Sequence, residues 1–399
     1  MTTAPEQAVK FPFELRALDV PEEFAALRAD RPVLRVELPF GGQGWLVSRY
    51  EDVRTVLSDP RFSRAETVGA DIPRTSPART LPGNLLAMDP PEHTRVRRLV
   101  AGAFGMRSIG RWRPRVEQVV AELITAMTAG GAPADLVEHF AMPLPVTVVC
   151  ELLGVPVGDR RLFQRFAEIL FSTTGATAEE MAEAGSALEK YLVAHIEERR
   201  QRPRPDLISQ LIAARDEDED RLSEQELIGL AGSILVAGHE STANEVANFV
   251  YTLLSTGLWS DLVARPELVD AAVEELLRFV ALGSGYSPPR IATEDLELGG
   301  RLIRKGDSVI ANIVSANRDE SAFDRAATVD LNRAPNPHLS FGFGPHHCLG
   351  AQLARLELRV AFDQLVRRLP GLRFAGTAED VPWRLGTRAR GPRELLVRW

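Results

Sequence analysis

The chain has two cysteines, and one of them, Cys348, lies in a permissive segment, HLSFGFGPHHCLG, from His338 to Gly350. Its glycines put no Cβ in the way of a bulky partner. Leu349, Leu353, Leu356 and Val360 recur at four-three-four spacing, so a helix is expected to start at or just after Cys348. A thiol there faces the positive end of the macrodipole and several free N–H groups, and both favour thiolate. A thiolate in that place is a nucleophile, with the neighbouring histidines as bases, or a metal ligand. Two plainer readings stay open. One is a buried cysteine in a loop. The other is a zinc site from His346, His347 and Cys348, which is weaker because adjacent residues rarely converge on one ion and no C-x-x-C partner exists.

Three further stretches combine reactive types at useful spacing. AGSILVAGHESTANEVANF, Ala231 to Phe249, is expected inside a long helix, opened by a Ser223/Glu226 capping-box pattern. Gly238 in mid-helix costs roughly 1 kcal/mol relative to alanine. Ala237 and Gly238 leave a bare patch for a flat partner or for a closely packed helix. Glu240, Ser241 and Thr242 follow, an acid beside hydroxyls that could relay protons or bend the helix by bonding back to carbonyls. VEELLRF places Glu275 and Arg278 at i,i+3, a spacing that usually only supports a helix. MDPPEHTRVRRLV places His93 and Arg97 at i,i+4, on one face, where they could hold one anionic group or form an ordinary solvated basic face.

These groups need scaffolding, and the pattern along the chain is mostly helical. RPRVEQVVAELITAM and EEMAEAGSALEKYLVAHIEERR carry apolar residues at three-four spacing. RQRPRPD breaks that pattern, and RDEDEDR reads as an acidic, solvated loop. Near the N-terminus VLRVELPFGGQGWLVSRY alternates around a Gly-rich turn, a hairpin. After Arg290 short strands return in ATEDLELGG and RLIRKGDSVIANIV, and again at RELLVRW. The expectation is one mostly helical domain over 1–399, with a smaller sheet region built from both ends and from the segment near residue 300.

Composition narrows the function. The 399 residues carry a net charge of -8, which argues against a general nucleic-acid binder. Lys10, Lys190 and Lys305 are the only lysines, which suggests a GC-rich, actinomycete-like genome. Cys150 ends the apolar run VTVVC and reads as a buried small hydrophobe. Two distant cysteines make a poor disulfide framework, so a reducing cytoplasm is expected. The N-terminus has no secretory pattern, and LIGLAGSILVAG is too short to span a bilayer.

In this order and spacing the four stretches resemble the cytochrome P450 family of haem-thiolate monooxygenases, over nearly the whole chain. FGFGPHHCLG is similar to the family's haem-binding loop, AGHES to its oxygen-binding helix motif and EELLR to its Glu-x-x-Arg motif. The resemblance implies a mainly α fold with small β-sheet regions, a triangular helical prism with haem between a long central helix and the Cys loop. It implies haem b with Cys348 as the iron ligand, whose thiolate favours O–O cleavage. Phe341, Gly342 and Gly350 would pack around the sulfur and the porphyrin. His93, Arg97, Arg290 and His346 would bind the propionates. Ala237 and Gly238 would flank the oxygen site, Glu240 and Ser241 would deliver protons, and Thr242 would be the alternative to the threonine usual at the Ser241 position. Glu275, Arg278 and Arg333 would hold the Cys loop.

The implied activity is insertion of one oxygen atom from O2, by hydroxylation or epoxidation, into a large, partly polar secondary metabolite of macrolide or polyketide type. A separate ferredoxin and NAD(P)H-dependent reductase would supply electrons, because no nicotinamide-binding glycine motif follows a strand. Arg95, Arg98, His347 and Arg355 would form the docking surface, and the protein would act as a cytoplasmic monomer. The substrate would meet segments near Val68–Ala87, Phe163–Thr177, Ile234 and Ala237, Leu282–Ser287 and Thr387–Arg388. A peroxide-driven peroxygenase and a non-catalytic haem-binding protein are the competing classes. Both leave the Glu240–Ser241 pair without a task.

Overall fold

A long helix is the axis of the molecule. In the computed structural model, which describes residues 8–399 apart from 15, 78, 81, 218–221 and 385, it runs from Glu224 to Ser255. The Ser223 hydroxyl accepts from the Glu226 N–H at 3.2 Å, and the Glu226 carboxylate accepts from the Ser223 N–H at 2.8 Å. Two of the orphan donors of the first turn are thereby satisfied. From Thr242 to Val250 every residue is buried, so this stretch is core on all sides. Leu235, Val246, Phe249 and Val250 are fully buried, each worth roughly 1.5–3 kcal/mol over exposure.

The other helices wrap this axis. In chain order they are α1 (Glu23–Asp30), α2 (Tyr50–Ser58), α3 (Glu92–Phe104), α4 (Met106–Gly110), α5 (Arg113–Ala129), α6 (Pro143–Leu153), α7 (Arg160–Phe171), α8 (Ala178–Gln201) and α9 (Leu207–Glu217). The axis is α10, followed by α11 (Leu258–Ala264), α12 (Val269–Phe279), α13 (Ile313–Ala316) and α14 (Ala351–Arg368). α10 packs against α6, α7, α8 and α14, and α5 against α14. The helices expected at Arg113–Met127 and Glu179–Arg200 are α5 and α8, and RQRPRPD is the break between α8 and α9. Of the acidic segment at 215–221, Arg215–Glu217 close α9 and 218–221 lie outside the described residues.

The strands are β1 (Val9–Lys10), β2 (Val33–Glu37), β3 (Gln43–Val47), β4 (Phe62–Ser63), β5 (Ala134–Asp135), β6 (Arg290–Ala292), β7 (Leu296–Leu298), β8 (Arg301–Ile303), β9 (Ser308–Ala311), β10 (Arg373–Phe374) and β11 (Leu396–Arg398). The expected hairpin is β2–β3, paired from Val33↔Val47 to Glu37↔Gln43. A six-stranded sheet has the order β1-β2-β3-β9-β6-β4. The C-terminus does not join it, contrary to expectation. β11 pairs antiparallel with β5 and β10 in a separate sheet, in the register Leu396↔Asp135 and Arg373↔Arg398. Strand alternation marks a strand but does not choose its partner. The fold is mainly helical with small sheets, and no described helix is long and apolar enough to cross a membrane.

Candidate active site

Cys348 stands at the start of α14, with Gly350 as the helix cap. Its N–H donates to the Phe341 carbonyl at 2.8 Å, which closes the loop. Burial raises the thiol's pKa, opposed by the backbone N–H groups of Gly350 and Ala351 and by the charges of Arg97 and Arg355. Yet the side chain is solvent-accessible. A group both enclosed and accessible lines an internal hollow. The expectation of a depressed pKa is therefore corrected. Desolvation outweighs the helix terminus until a cation stands at the sulfur, where coordination would remove the proton outright. Cys150 differs: it is fully buried in α6 and pushed up to about 12 by burial.

The loop is held from three sides. Gly344 has φ +72°, and a Cβ there would lie 2.7 Å from the Leu57 carbonyl oxygen, so only glycine lets the loop rest on the end of α2. Asn317 accepts from the Leu339 N–H at 2.8 Å and donates to Ser340, whose hydroxyl donates to the Leu277 carbonyl at 2.6 Å. The Arg355 guanidinium covers the Phe341 ring at 4.5 Å. Gly342 has φ +72°, and a Cβ on Gly350 would meet no atom within 4 Å, so that side of the helix cap is open.

A cationic cluster lies beside the loop. α3 presents His93 on the face of its buried Val96 and Val100, and the Arg95–Glu226 pair ties α3 to the start of α10. Arg97 donates to the His347 carbonyl at 2.6 Å. His93 and His346 have ring centroids 4.4 Å apart. Both His93 ring nitrogens and His346 Nδ1 are buried without partners. Burial, then His93, Arg290 and Arg64, press His346 down to about 3. Burial and the Arg64 charge hold Arg290 down to about 9. Arg64, held down to about 10 by burial, was absent from the sequence reading, and a lone arginine outside any periodic pattern offers no signal. Asp89 is the one carboxylate acting on His93, His346, Arg290 and Arg64. Such a cluster calls for anionic groups from elsewhere.

On α10, Ala237 is exposed in mid-helix and Ser241, one turn on, is half-buried. The Ser241 hydroxyl donates back to the Ala237 carbonyl at 3.1 Å. Gly238 faces elsewhere: a Cβ there would stand 2.9 Å from Val149 Cγ2 of α6. Its reason is close helix packing, so the bare patch belongs to Ala237 alone. Glu240 is 1% exposed and does not hydrogen-bond to Ser241, because successive residues lie about 100° apart around a helix. Its Oε1 accepts from Arg384 and from Asn244, each at 3.1 Å, and its Oε2 has no partner. Thr242 is buried. Arg384 was not legible as a partner, since 144 residues of chain separate it from Glu240, whereas Asn244, at i,i+4 on the same helix, carried the signal in its spacing.

Glu275 is the hub of a buried network. It accepts from Arg278 at 2.6 and 2.8 Å, from Arg333 at 2.9 Å, from Asn336 at 3.1 Å and from the Asp330 N–H at 2.9 Å. The expected docking surface is less free than its composition suggested. Arg95 pairs with Glu226 and Arg355 with Glu274, which leaves Arg98 exposed and His347 half-buried. Of the expected substrate segments, residues 163–177 and 387–388 meet through a Ser172↔Thr387 bridge, and 78 and 81 in Val68–Ala87 lie outside the described residues.

The family profile described as Cytochrome P450 matches residues 146–256 and 259–370. The chain belongs to the cytochrome P450 family. It is 50% identical, over 96% of each chain, to the nocardicin C N-oxygenase of Nocardia uniformis subsp. tsuyamanensis. It is 48% identical, over the full length of both, to the mycinamicin IV hydroxylase/epoxidase of Micromonospora griseorubida. The crystal structure of HinD with NMFT and NO superposes with a TM-score of 0.96 at 44% identity, covering 99% of this chain and 100% of that one. A cytochrome P450 carries Cys-ligated haem b, and the described residues fit that group. They offer a thiol with two N–H groups aimed at its sulfur, unpartnered buried imidazoles and arginines to meet two propionates, and an open face at the helix cap.

Proposed function

We propose that the chain inserts one oxygen atom from O2 into a large, partly polar small molecule of macrolide or polyketide type, by hydroxylation or epoxidation. Haem supplies the oxygen chemistry when bound. Cys348 is its iron ligand, and the N–H groups of Gly350 and Ala351 temper the sulfur's charge. Phe341, Gly342 and Gly350 form the wall beside the sulfur. His93, Arg97, Arg290 and His346, joined by Arg64, neutralise the propionates. Ala237 borders the oxygen site, with Gly238 seating α10 on α6 behind it. Ser241 holds the proton-donating hydroxyl on the hollow's wall. Glu240, which does not touch Ser241, replenishes it through intervening water at its unpartnered Oε2, while Arg384 and Asn244 fix the other oxygen. Thr242, being buried, is a poor substitute.

The observation that carries this reading is Cys348 enclosed but accessible, at a helix start beside a buried cation cluster. The mycinamicin and nocardicin relatives support a secondary-metabolite substrate. The N-oxygenase also favours nitrogen as a second class of oxygenated atom. The reading further includes one domain over 1–399 and a cytoplasmic monomer. Electrons come from a separate ferredoxin and its reductase, which dock near Arg98. The test is the absorption spectrum of the purified protein, reduced and exposed to carbon monoxide. A Soret band at the long-wavelength position of a thiolate-ligated haem is expected and should vanish in Cys348→Ser. A short-wavelength band in the unaltered protein, or no haem, would defeat the reading.

A further inference from the structure

Glu240, Asn244 and Asn248 recur every fourth residue on α10, so they share one face of the helix. The C-terminal segment from Trp383 to Pro392 lies along that face. Arg384 donates to Glu240 Oε1 at 3.1 Å and to Asn244 Oδ1 at 2.6 Å, and Asn248 donates to the Arg390 carbonyl at 2.9 Å. A Cβ on Gly391 would stand 1.9 Å from Asn244 Oδ1, so only glycine lets the segment lie this close. Arg384 has a firm base. Its N–H donates to the Gly391 carbonyl at 3.0 Å, and the neighbouring Trp383 ring meets Tyr251 of α10 edge-on at 5.0 Å.

The contacts on Glu240 are lopsided. Arg278 grips both oxygens of Glu275, at 2.6 and 2.8 Å, and Arg115 grips both oxygens of Glu151, at 2.6 and 2.8 Å. That two-fold grip is the strong form of the pair. Arg384 instead gives its second nitrogen to the Asn244 carbonyl oxygen. This turns the Asn244 amide so that its Nδ2 faces Glu240 and donates to the same Oε1 at 3.1 Å. Both donors therefore sit on Oε1, and Oε2 is buried without a partner among the described residues. Neutralising a buried charge would need only the two-fold grip. The observed arrangement also fixes the carboxylate's rotation, about a torsion that is otherwise broad, and keeps one oxygen bare.

We propose that Arg384 is a positioning residue for oxygenation: from the C-terminal segment it sets the rotation of Glu240, so that Oε2 stays free to pass protons toward Ser241. This rests on reading Glu240 and Ser241 as the proton route.

The test uses holoprotein with surrogate ferredoxin and reductase, at concentrations beyond which the rate no longer rises. NADPH oxidation is followed in ordinary and heavy water without added substrate, so the natural metabolite need not be known. Arg384→Gln should keep the carbon monoxide band and enlarge the solvent isotope effect. It should slow NADPH oxidation by about tenfold, a small part of what a positioned proton donor contributes. Arg384→Lys should recover part of both. In a Glu240→Gln background Arg384→Gln should change nothing further, because it acts through that acid. A readout without turnover is the infrared C–O stretch of the carbon monoxide complex, which should broaden in Arg384→Gln as the carboxylate gains orientations. Asn244→Ala removes one donor from Oε1, leaves the ion pair intact and should show the same changes in smaller measure. Unchanged rate, isotope effect and stretch in Arg384→Gln overturn the proposal and leave the proton route standing. So do losses from Arg384→Gln and Glu240→Gln that add in the double variant. Loss of haem from Arg384→Gln with a silent Asn244→Ala would make the contact structural and also overturn it. Glu240→Gln without effect would defeat the proton route itself, and a missing carbon monoxide band in the unaltered protein would defeat the monooxygenase reading.

Discussion

At the residue scale, the proposed centre depends on side chains that look unsatisfied. His93 and Arg290 are buried, and His346 half-buried, beside one another with one acid, Asp89, acting on them. In a folded protein buried polar groups find partners, so orphans at this density mark where a ligand completes the structure. Ser241 is the residue whose proposed role is most exposed to test. It keeps a hydroxyl but lacks the methyl that stiffens threonine's rotamer. Ser241→Ala should retain haem and the carbon monoxide band. Product formed per NAD(P)H should fall by about tenfold or more, a modest share of what a positioned proton donor contributes. Hydrogen peroxide should rise correspondingly, measured with a surrogate reductase and ferredoxin. Unchanged coupling would remove Ser241 from proton delivery.

At the element scale, the Cys loop is positioned by helices that never reach the hollow. α12 supplies Glu275 and Arg278 to a fully buried pair, and the chain from Asn317 to Asn336 folds back onto it. Leu277 of the same helix accepts from Ser340, at the root of the loop. The pair is a junction, and breaking it strands two arginines in the core. Glu275→Gln should destabilise the protein by about 3–5 kcal/mol, the usual cost of an uncompensated buried charge. Chemical denaturation followed by the Soret band and by far-UV circular dichroism would measure it. A loss under about 1 kcal/mol, the scale of an exposed pair, would show that the network is not a junction.

At the scale of the whole molecule, Glu274 links acid stability to the loop. Burial would raise its pKa, but hydrogen bonds from His338 and Arg355 prevail and hold it down to about 2. A carboxylate with a depressed folded pKa stabilises the protein above its unfolded value, about 4.3, and loses that contribution as pH falls toward 2. His338 opens the Cys loop and Arg355 lies on α14, so loop and helix should loosen together in that window. Haem release followed from pH 5 to pH 2 should be steeper in the unaltered protein than in Glu274→Gln. Superimposable acid profiles would exclude the linkage.

The sequence by itself determined the local chemistry and the helices. Capping at Ser223, apolar spacing after Cys348 and the i,i+4 placement of His93 and Arg97 are properties of neighbours along the chain, so they were legible before any fold was known. The motifs around Cys348, Gly238 and Glu275 pointed to a family for the same reason. Only the tertiary structure decided which residues meet from far apart. It turned Gly238 toward Val149 and gave Glu240 to Arg384. It paired Arg95 and Arg355 with acids and sent the C-terminal strand to β5. A periodic pattern records which face of an element is buried, but not what lies across from it. The pairing of two charges distant in sequence depends on how elements pack, and no short window of residues encodes that.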